Sequence, residues 1–364
     1  MKNTIIKIAV LVFITSLQSL LFQNCSRVQV SDVASEPQVS ATRAPASDST
    51  TEATAVVTKD IRSRIASLDS EISKVDLLLV IDNSGSMKED SLALAGKLSE
   101  FFTYLSDSKI DWQMCLTSTS LNSLGKSYDW KGGASGKVLN KQTLNIQTVV
   151  TQSVSYLFGL SGTSDERGVA QSYQHLTNLE NKNCYRAGAS FVSIIISDED
   201  ERSTGEIDYN TIIPKPIKIN TSTGPIEQID RPEFYLSEFK ILQPNKNIQV
   251  HSIVIPSKDD VCFAKQNQYS SVSFGTFYEN LSKLTSGTTT SICEANYSTN
   301  LKTISESIKD LSQKVQLDCI PTETPVVKVE PADSVVSYTL IDNLISFNYP
   351  SNKSYSVSVS YTCN

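Results

Sequence analysis

The thirteen-residue stretch VDLLLVIDNSGSM, running from Val75 to Met87, constrains this chain more than any other. Its branched apolar run is too short for a helix and is bounded by polar residues, which marks a strand buried on both faces. The run stops at Asp82-x-Ser84-x-Ser86, with Gly85 permitting a tight turn between the two serines. Side-chain oxygens at i, i+2 and i+4 in a loop leaving a central strand can converge on one point. Carboxylate and hydroxyl oxygens suit a small hard cation such as magnesium. The competing reading is a Ser/Gly turn whose Asp82 and Ser86 only cap the next helix.

Strands and helices alternate from there on. Residues 88–106 carry a wide helical stripe that includes Leu94, Leu98, Phe101 and Phe102, and residues 110–117 read as a strand with Trp112, Met114 and Leu116 on one face. A Gly-rich loop with Tyr128 and Trp130 follows, then a short strand near 138–139 and helices over 145–158 and 166–179. Residues 191–196 form a second buried strand that ends in Ser197-Asp198-Glu199-Asp200-Glu201. After a long Pro-bearing excursion, 203–232, the pattern predicts a helix at 234–241, a strand at 248–255, a helix at 277–284, an edge strand at 288–293 and an amphipathic closing helix at 301–315. This alternation predicts a doubly wound, mostly parallel α/β sheet flanked by helices.

Both ends of the chain differ in texture. Residues 1–24 open with Lys2 and Lys7 and continue in a mostly apolar stretch, as a secretory signal peptide does; a membrane anchor is the alternative. Residues 25–71 are expected to hold a flexible tether rich in Ser, Thr, Ala, Val and Pro, with a short helical piece near 61–72. From Cys319 onward, Pro321, Pro325 and Pro331 punctuate short alternating β segments, so residues 318–364 read as a small β appendage leaning on the α/β domain. The formal charge of −7 over 364 residues, without a basic stripe, argues against nucleic acid as a partner.

The segment Leu21-Phe22-Gln23-Asn24-Cys25-Ser26 resembles a bacterial lipobox, whose cysteine becomes the lipidated N-terminus. It departs from the usual pattern at Phe22 and Asn24. The resemblance implies attachment to a membrane through lipid on Cys25, and Ser26 favours the outer membrane of a Gram-negative cell. The remaining six cysteines are an even number in an exported chain, which points to disulfides among 15 possible connectivities. We expect Cys262–Cys293 and Cys319–Cys363, with Cys115–Cys184 following by elimination. No CxxC pair or Cys/His cluster calls for zinc.

In an open parallel sheet, ligands bind at the carboxyl ends of the strands, where connections diverge. Asp82 and Asp198 each follow a buried strand, so they share that rim with the loop Ser161-Gly162-Thr163-Ser164-Asp165-Glu166-Arg167. The order and content of these segments resemble the von Willebrand factor type A (vWA) domain and its metal-ion-dependent adhesion site, over roughly residues 72–317. The family's Asp-x-Ser-x-Ser is matched by Asp82, Ser84 and Ser86, its Thr by Thr163 ahead of Gly168-Val169, and its third-motif Asp by Asp198. The resemblance implies a Rossmann-like fold and metal ligation by these five residues, with magnesium, or manganese or calcium, as the ion. It further implies a protein partner that completes the coordination with a Glu or Asp.

This chain departs from the family where many members have Asp-Gly, carrying Asp198-Glu199-Asp200-Glu201 instead. Asp165 and Asp200 are candidates for a second cation; Glu166, Glu199 and Glu201 read as solvated surface or helix N-terminal charge. Ser164 is a stand-in candidate for Thr163, and Ser161 a weaker one. Tyr128 and Trp130, on the loop over 118–136, are candidate partner-binding residues at the rim. Two rival readings stay open. One is a structural envelope lipoprotein with a vestigial or purely stabilising metal site. The other is an aspartyl phosphotransferase with Asp82 as nucleophile, which lacks its second acid and a positioned general acid. His175 and His251 read as packing or surface residues, and no Gly-x-Ser-x-Gly elbow is present, so we expect no enzyme.

Overall fold

The computed structural model describes residues 60–363 apart from 69–73, 89–90, 108–109, 134–135, 161, 204–206, 209–214, 217–224, 245, 269–270, 295–296, 312 and 351–352. The expected signal peptide, Cys25 and Ser161 lie outside the described residues.

The chain runs β1 (Asp60–Leu68), β2 (Lys74–Ile81), α1 (Ser91–Asp107), β3 (Asp111–Ser118), β4 (Leu139–Asn140), α2 (Ile146–Gly159), α3 (Gly168–Thr177) and β5 (Ser190–Ile196). A two-residue pair, β6 (Ile207–Asp208) and β7 (Lys215–Pro216), lies in the excursion before α4 (Pro232–Leu242) and β8 (Ile248–Val254). Then come α5 (Asp260–Gln266), α6 (Thr276–Leu284), β9 (Thr289–Ser291) and α7 (Tyr297–Leu311). The chain closes with β10 (Lys314–Gln316), β11 (Val326–Glu330), β12 (Ser337–Ile341), β13 (Leu344–Asn348) and β14 (Tyr355–Cys363).

The architecture is α/β. Its central six-stranded sheet has the order β4-β3-β2-β5-β8-β9 and is parallel except for the short edge strand β4. Strand β2 shows why its sequence could not alternate polar and apolar. Leu77, Leu79 and Ile81 face a layer formed by α1, α2 and α7, through residues such as Phe101, Val150 and Ile304. Leu78 and Val80 face the opposite layer under α3, α4 and α6, with Val169, Phe239 and Leu281. Burying both faces removes apolar surface at about 25 cal/mol per Å², so every position is selected for bulk. Among the described residues, no helix is long and apolar enough to cross a membrane.

Three expectations give way here. Residues 60–68 form neither helix nor tether: β1 pairs antiparallel with β14 along its whole length, from Asp60 opposite Cys363 to Leu68 opposite Tyr355. The closing helix ends at Leu311, and Val315 belongs to β10. The C-terminal appendage therefore takes in strands from both sides of the α/β domain. One sheet is β1-β14-β11, the other β10-β13-β12. Leu68, Val315, Ile345, Phe347, Val357 and Tyr361 share one small core. Asp318 fastens this module, ion-paired to Arg64 of β1 and to Lys240 of α4 at 3.5 Å.

All three expected disulfides are present: Cys115–Cys184, Cys262–Cys293 and Cys319–Cys363. The last closes a span of 44 residues, a loop whose closure contributes on the order of 4 kcal/mol in the chain-entropy account. Three buried or half-buried bridges fit an oxidising compartment. Cys262 sits on α5, a helix the sequence pattern did not reveal.

Candidate functional site

The register of the central strands sets the site. Ile81 of β2 lies level with Ser118 of β3 and Ile196 of β5, so the chain leaves all three strands along one rim. Strand β2 connects to β3 on one side, while β5 connects to β8 on the other, which leaves a crevice between β2 and β5 at the carboxyl edge. Asp82 and Asp198 flank that crevice, and both are buried.

A single hydrogen-bonded chain joins four of the five sequence candidates, Asp82, Ser84, Ser86 and Asp198. Asp82 Oδ1 accepts from the Ser84 amide at 2.8 Å, an Asx turn that shapes the loop. Asp82 Oδ2 accepts from the Ser197 hydroxyl at 2.5 Å. The Ser84 and Ser86 hydroxyls lie 2.8 Å apart, and Ser86 Oγ donates to Asp198 Oδ1 at 3.0 Å. Asp82, Ser84, Ser86 and Asp198 are thus gathered as expected. Ser197, which orients Asp82, escaped the sequence reading although it directly precedes Asp198.

Thr163 bonds instead to the loop after β3 and to its own loop. Its hydroxyl receives the Leu121 amide at 3.2 Å, lies 3.3 Å from Ser120 Oγ and donates to the Asp165 carbonyl at 3.2 Å. Its loop reaches the site only because residue 162 is glycine: a Cβ there would sit 2.4 Å from the Asn83 carbonyl oxygen. Asn83 in turn donates its side-chain amide to the Leu157 carbonyl at the end of α2 at 3.3 Å. Ser164 is exposed at the tip of this loop.

The electrostatics are unbalanced. Burial raises the pKa of Asp82, opposed by hydrogen bonds from Ser197, Ser84 and Thr119. Burial also raises Asp198, and the neighbouring Asp82 and Glu199 charges push it further up. No ion pair is formed by either carboxylate among the described residues; the groups that offset the cost are hydroxyls and a backbone amide. Neutral hydroxyls and two carboxylates directed at one crevice are the donor chemistry a hard divalent cation takes.

The remaining acids have protein partners of their own. Asp200 accepts from Thr276 Oγ1 at 2.6 Å and the Phe277 amide at 3.0 Å, so it caps α6, and burial pushes its pKa up to about 7. Asp165 pairs with Arg202 at 3.4 Å. Neither joins the Asp82–Asp198 chain, and among the described residues no three His, Cys, Asp or Glu side chains are grouped to hold a metal ion. Glu201 does serve a helix N-terminus, accepting from the Val169 and Ala170 amides at 2.8 and 3.0 Å, but Glu201 and Glu166 are buried rather than solvated.

Of the two rim aromatics, Trp130 departs from the expectation. Trp130 is only 2% exposed and packs edge-on against Phe102 of α1, with its Nε1 donating to the Lys137 carbonyl. Tyr128 is half-buried against the same core, its hydroxyl 3.3 Å from Ser118 Oγ. A loop that long folds back because its aromatics find the gap between α1 and α2. His175 and His251 are both buried packing residues, bonded to neutral partners and lowered by burial to about 3.

No family model and no curated protein sequence matches the chain. Among solved structures, it is similar to the pilus adhesin SpaC from Lactobacillus rhamnosus GG, at 14% identity over 81% of this chain and 39% of that one, with a TM-score of 0.38. It is also similar to the human COPII-coat protein Sec24c, at 10% identity over 84% and 42% of the two chains, TM-score 0.40. Proximal thread matrix protein 1 from the mussel byssus gives 12% identity over 70% and 51%, TM-score 0.33. The chain spans between 39% and 51% of the length of these structures.

Proposed function

We propose that the protein is an exported binding module of the vWA type, tethered to the cell envelope through lipid on Cys25, that holds an acidic side chain of a protein partner through a divalent cation. Asp82, Ser84, Ser86 and Asp198 would hold the ion, with Thr163 on the adjoining loop. The observation that carries this reading is the pair of buried carboxylates, Asp82 and Asp198, linked by serine hydroxyls and the Ser84 amide at the divergence of the sheet's connections. Burial raises both carboxyls and the Asp82 charge raises Asp198 further, and a cation between them would offset both effects. Magnesium supplies a Lewis-acidic centre with exchangeable positions, and neutral Ser and Thr ligands leave it positive character toward an incoming carboxylate. Ser197 holds Asp82 in the orientation that presents its oxygens to the crevice. Binding rather than catalysis is favoured because both histidines are sequestered in the core with neutral hydrogen-bond partners.

Calorimetric titration of magnesium into the full chain tests this. The expected result is saturable one-site binding that Asp82→Ala abolishes. If the Asp82→Ala protein bound magnesium as tightly as wild type, metal-mediated adhesion at this site would be wrong.

A further inference from the structure

Behind the rim lies a knot of charged side chains that neither the core nor the cation reading uses. Arg167, just before α3, is 4% exposed. Its Nε donates to Asp230 Oδ1 at 2.7 Å, and its Nη2 reaches the same oxygen at 2.6 Å and Glu227 Oε2 at 2.7 Å. The backbone converges on the same place. The Arg167 amide donates to the Thr119 carbonyl at 2.9 Å, and the Glu166 carbonyl accepts from the Arg202 amide at 2.6 Å. Glu201 spans the gap in the other direction, from the loop after β5 to the Val169 and Ala170 amides. Arg202, on the loop after β5, reaches the same acids, Glu227 at 3.7 Å and Asp230 at 4.0 Å, and also Asp165 at 3.4 Å, so the turn Gln228–Asp230 and its flanking Glu227 bridge the start of α3 to the loop after β5.

Thr163 lies shortly before Arg167, and Asp198 shortly before Glu201. Two halves of the candidate cation site are therefore carried on the two segments this knot ties together. A buried ion pair is a poor source of net stability compared with a well-packed apolar replacement, but it can fix one arrangement among several. Arginine suits that task because its planar fork grips two carboxylates at once, which a lysine cannot reproduce. Glu201 and Asp230 are both fully buried acids; Arg167 offsets both charges, and Arg202 stands 4.0 Å from Asp230 on the other side.

Resting on the cation reading above, we infer that Arg167 is a positioning residue for that site: gripped by Asp230 and Glu227, it locks the Thr163 loop and the Asp198 loop at a fixed separation. Its loss lets Glu201 and Asp230 repel, frees the Val169 and Ala170 amides, and allows the two halves of the site to drift apart.

The test compares full-length wild type with Arg167→Lys, Arg167→Met and the charge-neutral pair Arg167→Met/Asp230→Asn. Magnesium affinity is measured by calorimetry, and amide hydrogen exchange is followed in chelator. The expected result is a loss of affinity of about 10-fold to 100-fold in Arg167→Met, with faster exchange at Val169 and Ala170 but unchanged protection along β2. The charge-neutral pair recovers the thermal midpoint without recovering affinity or protection, whereas a merely structural role would restore all three together. Arg167→Lys, which keeps the charge without the fork, falls between wild type and Arg167→Met, and it serves if the methionine variant does not fold. Wild-type affinity and protection in the charge-neutral pair would overturn the inference. If wild type itself binds no magnesium, the cation reading fails, and the exchange arm alone decides whether Arg167 locks the two loops.

Discussion

Strand β2 buries an aspartate near each of its ends, and the two have opposite company. Asp76, near the amino end, accepts from Arg186 Nε at 2.7 Å and the Arg186 amide at 2.5 Å, with Lys246 Nζ at 3.5 Å; Arg186 also reaches Asp111 at 2.8 Å. Burial still raises the pKa of Asp76, but what opposes it are two cations. Asp82, at the carboxyl end, has hydroxyls, an amide and a second carboxylate. The same residue type on the same strand is therefore a closed structural ion pair at one end and an open electrostatic deficit at the other. A deficit that the protein's own cations do not fill marks a place for something that comes from outside.

The largest expected effect separates the two ends directly. In chelator, Asp76→Ala takes the carboxylate from Lys246, leaves Arg186 with Asp111 alone and lowers stability by about 3–5 kcal/mol, read by urea denaturation. Asp82→Asn, which removes one of two repelling charges, leaves the metal-free protein at least as stable as wild type. Equal losses at both ends would erase the contrast.

Magnesium then sharpens it. At one hundred times its dissociation constant, magnesium stabilises wild type by about 2.7 kcal/mol, an increment that persists in Asp200→Asn and vanishes in Asp82→Ala. Persistence in Asp82→Ala would place the ion elsewhere.

His175 is the cationic counterpart of Asp82, a buried titratable group with neutral partners, bonded to Ser127 Oγ at 2.7 Å and Tyr185 OH at 2.6 Å. Burial, followed by the charge of Lys137, lowers it to about 3 from an ordinary 6.5. Below pH 6.5 the unfolded chain binds a proton that the folded chain refuses until near pH 3. Stability from this group is therefore complete above pH 6.5 and declines as pH falls. By pH 5 the decline is about 2 kcal/mol. Comparing urea midpoints at pH 7.5 and 5 for wild type and His175→Gln should show a shallower dependence in the variant; identical slopes would remove His175 from the account.

The smallest effect concerns Asp200. As a cap of α6 rather than a metal ligand, its replacement by Ala should cost about 1 kcal/mol, seen as a lowered thermal midpoint of equal size with and without magnesium. A loss that appeared only with magnesium would return Asp200 to the metal site.

Much of the α/β domain was legible because its signals are local. The two buried strands, the helical stripe with Phe101 and Phe102, and the oxygen triplet after β2 are each contained in a short window. The partners of Asp165 and Asp200 were not legible, because a carboxylate beside a metal motif, one paired to a distant arginine and one capping a helix look alike until the partner is seen in space. Trp130 misled because an aromatic in a Gly-rich loop gives no sign of whether the loop stands up or folds back. At β1, Ile61, Ile65 and Leu68 have helical spacing, yet nine paired residues on β14 override it, leaving Ile61 and Ile65 exposed on the outer face.

By itself, the sequence determined which segments are buried strands, which helices cover them, that the six cysteines form bridges, and which oxygens end on the rim. Those properties depend on side-chain periodicity and chemical type within a few residues. Only the tertiary structure decided that β1 completes a module nearly three hundred residues downstream. It alone showed that Ser197 bonds to Asp82, that Glu201 joins the loop after β5 to the start of α3, and that Asp76 is balanced by cations while Asp82 is not. These are facts about which charges meet after the chain has returned on itself, and the energy of a buried charge is set by its neighbours in space.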